Sequence, residues 1–125
     1  MPPSHLIPRL ESEANIWVAT IRPQGGDLPP RPHLVPTWFA WHEGQLYLCI
    51  QSQTVKAQNL LANPFVSLAL EDGSKTAICE GQAAVIEGEW PAAVCAIFQR
   101  KYNWGIPDGE YDWLVAITPK KWLAW

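Results

Sequence analysis

Apolar residues along this chain come mostly in short runs rich in β-branched and aromatic types, cut by proline, glycine and acidic turns. Ile16-Trp-Val-Ala-Thr-Ile21 is the first such run and predicts a strand. Residues 23–32 hold four prolines and two glycines and predict a long hairpin loop. Pro32 to Trp41 reads as a second strand. Pro36 lies inside it and cannot donate a ladder hydrogen bond, which places that point at an edge or a bulge. Glu43-Gly44 predicts a tight turn into a strand over Gln45–Ile50. Phe65–Leu70 predicts a buried strand, Glu71-Asp-Gly-Ser74 a turn, and Thr76–Ile86 a long strand that bends or bulges at Gly81. Trp113–Thr118 is the last strand, with Lys121–Trp125 extending it beyond Pro119.

Helical signals interrupt this series. Thr54 is a candidate N-cap for a helix running to Ala62, with Val55, Leu60 and Leu61 as its apolar face and Asn63-Pro64 as its stop. Glu87-Gly-Glu-Trp-Pro91 opens a second helix that presents Val94, Ile97, Phe98 and Lys101 on one face and ends by Asn103-Trp-Gly105. A short helix after Pro8 would cap the domain. Six strands without β-α-β alternation predict a mainly β, antiparallel barrel with accessory helices. A chain of 125 residues suits one domain spanning 1–125 and is too short for two.

Composition sharpens this picture. Hydrophobic residues make up 48% of the chain, charged ones only 17%, and there are eight tryptophans, so either the core is dense or one face is buried by association. A net charge of −3 with no basic run excludes a nucleic-acid partner. No apolar run approaches the roughly 18 residues of a membrane helix, and Met1-Pro-Pro-Ser-His5 lacks the order of a signal peptide, so a soluble, cytoplasmic protein is expected. Cys49, Cys79 and Cys95 have no metal or disulfide spacing and read as buried thiols. His5, His33 and His42 form no metal-binding pattern, and no nucleophile motif is present. The acids read as solubilising residues of turns and loops.

Candidate chemistry concentrates in Leu46–Pro64. An apolar strand enters the polar turn Gln51-Ser-Gln-Thr54, which opens a helix carrying Lys56 in its first turn. Backbone N–H groups, a hydroxyl and a lysine at one helix start can hold a phosphate. Lys56 also reads as a solvated helix lysine, and Thr54 as a plain cap. Tyr102-Asn-Trp104 reads as an aromatic helix end packed on the barrel, or as one reaching toward a partner subunit's ligand.

In their order these segments resemble the flavin-binding split barrels related to pyridoxamine 5′-phosphate oxidase. The resemblance rests on Pro32-His-Leu-Val-Pro-Thr-Trp-Phe39, on Leu46–Asn63 with Lys56-Ala-Gln-Asn-Leu60, on Asn63-Pro-Phe-Val-Ser-Leu68, and on Glu80-Gly-Gln-Ala83. It implies a six-stranded antiparallel split barrel and a homodimer with FMN at the subunit interface. By position, Lys56 and Thr54 match the phosphate contacts, Gln51 and Ser52 approach the ribityl chain or phosphate, and Val35, Pro36, Thr37 and Trp38 lie along the ring. Two departures stand out. Val55 occupies a position where the oxidases usually carry arginine, and the terminus Lys120-Lys-Trp-Leu-Ala-Trp125 lacks the arginine and histidine that hold their substrate. The resemblance thus implies a flavin-dependent oxidoreductase acting on a small molecule, with a non-catalytic flavin binder or an F420-dependent reductase as alternatives.

Overall fold

The structure, a computed structural model, describes residues 1–125. After a short 3-10 turn come α1 (Ile7–Ser12), β1 (Ile16–Arg22), β2 (Arg31–Thr37), β3 (Ala40–His42) and β4 (Gln45–Ile50). The remainder is α2 (Val55–Ala62), β5 (Phe65–Leu70), β6 (Ala77–Val85), α3 (Ala92–Tyr102) and β7 (Trp113–Ala124). All strand pairings are antiparallel, in one sheet of order β2-β1-β5-β6-β7-β4-β3. Its two edge strands, β2 and β3, are neighbours in sequence, joined only by Trp38 and Phe39. So short a link between opposite edges requires the sheet to curl, which is the expected split barrel. There are seven strands rather than six because the run Pro32–Trp41 crosses from one edge to the other instead of continuing as one strand.

Several local signals act as expected. Glu43 and Gly44 take positive φ values of 48° and 79°, the backbone of a tight hairpin turn between β3 and β4. The β6–β7 register shifts between Glu80 and Gly81. A Cβ at Gly81 would lie 2.7 Å from the Thr118 carbonyl oxygen, so only glycine permits this approach. β7 continues through Pro119 to Ala124.

Alternation along the strands builds two cores. Leu46, Leu48 and Ile50 of β4 and Val115 and Ile117 of β7 face the barrel interior, closed at one end by Leu6 and Leu10. Their neighbours Tyr47, Cys49, Leu114 and Ala116 face outward against Val94 and Phe98 of α3. The apolar face expected for α2 is corrected: Val55 and Leu61 are exposed, and the helix buries Ala57, Asn59 and Leu60. Its docking is partly polar, since Asn59 Nδ2 donates to Thr20 Oγ1 of β1 at 3.0 Å. No helix is long and apolar enough to cross a membrane.

Candidate functional site

Where the chain leaves β2 to cross the barrel mouth, an open cleft of about 540 Å³ is lined by Pro36, Thr37 and Trp38 at the end of β2, by Tyr102 and Trp104 after α3, and by Lys56. This size is normal for a small-molecule site. The crossing is held in place by α3. The Tyr102 hydroxyl donates to the Ala14 carbonyl at 2.7 Å and accepts from the Phe39 N–H at 3.1 Å. Lys101 Nζ donates to the Phe39 carbonyl at 2.9 Å and lies 3.9 Å from the Phe39 ring centre. Burial lowers the Lys101 pKa to about 8, against an upward pull from Glu13, and burial raises that of Tyr102.

With Phe39 pinned, Trp38 is presented to the cleft. Tyr102 stacks on it, ring centres 4.4 Å apart and planes 5° from parallel, while Trp104 meets it edge-on at 5.7 Å. Trp104 is fixed in turn by Tyr111 at 5.0 Å and by its indole N–H, which donates to Asp108 at 2.9 Å. Asp108 also accepts from the N–H groups of Tyr111 and Glu110, and these bonds hold its carboxyl below the usual range. Cys49 lies at the base of the cleft. Its thiol is pushed up to about 12, chiefly by burial and then by Asp108, so it is protonated near neutral pH and has no nucleophilic character.

Lys56 lies in the first turn of α2, half-buried, and burial lowers its pKa. The ion pairs of the molecule are Arg9–Glu13 and His42–Glu43, so this cation has no carboxylate partner. β2 is an edge strand, and the backbone groups on its open side have no ladder partner. The cleft therefore combines an aromatic wall, the end of an edge strand at Pro36 and Thr37 and one cation without a carboxylate partner. Those are features that a phosphorylated planar ring can use.

The residues singled out from sequence fall into separate places. Pro36, Thr37, Trp38 and Lys56 come together in the cleft. Val35 shares the inward face of β2, opposite Val18. Thr54 is the N-cap of α2: its hydroxyl donates to the Gln51 carbonyl at 2.8 Å and accepts from Ala57 N–H at 3.4 Å. Gln51 and Ser52 line an adjacent polar depression with Glu110 and Asp112. There Ser52 donates to Asp112 twice, through its N–H at 2.9 Å and its hydroxyl at 2.7 Å, and these bonds lower the Asp112 pKa. Asp108 and Asp112 thus organise the 103–112 loop, a role that reading the acids as solubilising residues did not foresee. Asn15 and Tyr111 also line the cleft, and neither carries a local sequence signal for it. Tyr102 and Trp104 do carry one, as an aromatic helix end, and they both pack on the barrel and line the cleft.

A curled antiparallel sheet with a cleft at its open mouth defines the split-barrel class. The family model for pyridoxamine 5′-phosphate oxidase matches residues 7–125, and the chain belongs to that family. Among solved structures, a conserved hypothetical protein, Rv2991, from Mycobacterium tuberculosis is similar at 27% identity and a TM-score of 0.76, covering 100% of this chain and 84% of that one. The heme storage protein HutZ from Vibrio cholerae is similar at 21% identity and a TM-score of 0.76, covering 99% and 95% of the two chains. An F420 reductase is similar at 22% identity and a TM-score of 0.68, covering 91% and 92%. No curated protein sequence matches the chain.

Proposed function

We propose that the cleft binds FMN and that the protein is a flavin-dependent oxidoreductase for a small molecule. The observation that carries this reading is Lys56, an unpartnered cation in the same cleft as the exposed edge strand and its aromatic end. In this reading Lys56 meets the phosphate, and the free backbone groups around Val35, Pro36 and Thr37 face the polar edge of the ring. Trp38 with Tyr102 behind it shields the ring from water. Bound FMN would supply the redox chemistry, so the side chains need only bind, orient and exclude solvent. Gln51 and Ser52 reach the phosphate only if Asp112 releases Ser52, because a carboxylate already occupies both of its donors. The apolar outer surface of β1, β2 and β5 would be covered by a second copy of the chain, forming a homodimer.

Colour and binding test this directly. Purified protein is expected to be yellow, or to become so on incubation with FMN and desalting; protein that stays colourless rules the reading out. Lys56→Ala is expected to weaken FMN binding by about 1.5–3 kcal/mol, the usual worth of a hydrogen bond to a charged group. An unchanged dissociation constant would place the phosphate elsewhere. Stopped-flow mixing with NADH, NADPH or a reduced deazaflavin then separates an oxidoreductase from a protein that only holds flavin.

A further inference from the structure

The turn that enters α2 already holds an anion, and that anion belongs to the chain itself. Ser52 has two donors, its N–H and its hydroxyl, and Asp112 takes both: Oδ1 accepts at 2.9 Å and Oδ2 at 2.7 Å. Each carboxylate oxygen accepts one bond, as two oxygens of a phosphate can from neighbouring donors. No cation fixes Asp112 there, because neither ion pair of the molecule includes it. It is held by the hydroxyl and N–H of Ser52, the bonds that keep its carboxyl below the usual range.

Neither partner depends on the contact for its own fold. The β4–β7 ladder ends at the pair Ile50 and Trp113, so Ser52 and Asp112 lie beyond it. The turn keeps its shape by other bonds: the Thr54 hydroxyl donates to the Gln51 carbonyl at 2.8 Å, and Gln58 Nε2 donates to the Ser52 carbonyl at 2.7 Å. On the loop side, residues 107–110 are exposed between the buried Ile106 and the start of β7. The other polar links from this loop to β4 and the turn are weak. Gln51 Nε2 donates to Glu110 at 3.4 Å, and the Cys49 thiol, a poor donor, reaches the Tyr111 carbonyl at 3.7 Å. Tyr111 directly precedes Asp112, lines the cleft, and meets Trp104 edge-on. Whatever draws Asp112 away from Ser52 therefore acts on the aromatic wall of the cleft.

We infer that Asp112 is a built-in competitor of a ligand phosphate: its carboxylate must leave Ser52 before the phosphate can bond there, and its release resets Tyr111 and Trp104 along the cleft. The inference rests on the flavin reading for the identity of the ligand, and on the Ser52–Asp112 contact for the competition. A ligand that needs the Ser52 donors binds more weakly in proportion to the fraction of molecules in which they are free. Asp112 and Glu110 also repel an arriving dianion as long as they stay at the turn. The loop thus has two arrangements, tied and released, and an anion at the turn favours the second.

Removing the competitor tests this, because competition and simple structural support predict opposite signs. FMN, riboflavin and orthophosphate are titrated into the whole protein and into its Asp112→Ala and Asp112→Asn variants, with the Ser52 amide and the Trp104 indole N–H followed by NMR. Asp112→Ala is expected to bind FMN about three- to tenfold more tightly than the unaltered protein, the worth of an exposed hydrogen-bonded competitor. Riboflavin, which has no phosphate, should bind both equally. Asp112→Asn keeps the shape without the charge and should fall between them. Orthophosphate should move the Ser52 and Trp104 signals together in the unaltered protein, whereas in Asp112→Ala the indole signal starts near its phosphate-bound position. Weaker FMN binding by Asp112→Ala would mean that the contact only supports the wall. That result, or unchanged affinity in both variants, overturns the inference and leaves the flavin reading standing. If no form of the protein takes up FMN, yet orthophosphate binds Asp112→Ala more tightly and moves both signals in the unaltered protein, the flavin reading falls and the inference stands. Failure of Asp112→Ala to bind either FMN or orthophosphate overturns the inference.

Discussion

The outside of the barrel has two halves with opposite fates. Over β4 and β7 the outward residues Tyr47, Cys49, Leu114 and Ala116 are sealed under α3, with Val94 and Phe98 fully buried between. Over β1, β2 and β5 nothing in the chain covers the sheet, yet the outward residues are still apolar: Trp17, Ile21, Leu34 and Phe65 are 38%, 39%, 60% and 57% exposed. Both halves obey the same strand alternation, so local sequence pattern does not separate them. The difference lies in where the chain spends its longest helix, and it teaches that one half completes its core within the chain while the other leaves an apolar face open.

Two phenylalanines test that contrast most strongly. Phe98→Ala is expected to cost about 3–5 kcal/mol in urea unfolding, the usual range for emptying a closed core of an aromatic ring. Phe65→Ala on the open half should cost under about 1 kcal/mol at protein concentrations where the chain is monomeric. Equal and concentration-independent losses would mean that the two halves do not differ. The halves meet at the β6–β7 ladder, where Gly81 lets the backbones close to contact. Gly81→Ala is expected to cost about 1–3 kcal/mol, because the obstructing atom is a backbone carbonyl that cannot rotate away.

A smaller effect reports on the open half itself. Leu34→Glu should leave thermal stability of the monomer within about 0.5 kcal/mol, as for other exposed positions. It should shift sedimentation toward the monomer, since a carboxylate at an apolar contact must be desolvated. If the unaltered protein is monomeric at every accessible concentration, the homodimer is excluded and the proposed cofactor site must be complete within one chain.

Much of this organisation is written locally. The Glu43-Gly44 turn, the Thr54 cap, the Gly81 bulge and the strands on either side of each follow from backbone preference and could be read from the chain. The break after Thr37 could not. Trp38 and Phe39 are good strand formers, and only the distant Tyr102 and Lys101 turn them across the barrel mouth. The same holds for the site: the Lys56 position is legible as a helix start, but Asp112 bonding Ser52 depends on a loop sixty residues away in sequence. The buried face of α2 was misleading for a related reason. Its partner surface contains Thr20, so a polar Asn59 fits inside and apolar Val55 and Leu61 stay out.

The crossing from β2 to β3, a second place where the two halves meet, gives the most specific prediction. Lys101 of α3 reaches over Phe39 with its pKa lowered to about 8, so the folded protein sheds this proton well before the unfolded chain, whose lysine titrates near 10.5. Between those values the unfolded state binds more protons, and the Lys101 contribution to stability therefore rises with pH. Below pH 8 the buried ammonium is a standing cost, partly offset by its bond to the Phe39 carbonyl and by Glu13. The raised pKa values of Cys49, Cys79 and Tyr102 act in the opposite direction at alkaline pH, since the folded state keeps protons that the unfolded state loses. Only a difference between proteins isolates the lysine. Lys101→Met, which keeps the chain length against Phe39, is expected to lose a stability gain of about 1 kcal/mol between pH 8 and 10, after discounting for partial exposure. Parallel unfolding curves for the two proteins across that window would show that Lys101 holds the crossing by packing alone, and that the crossing carries no buried charge.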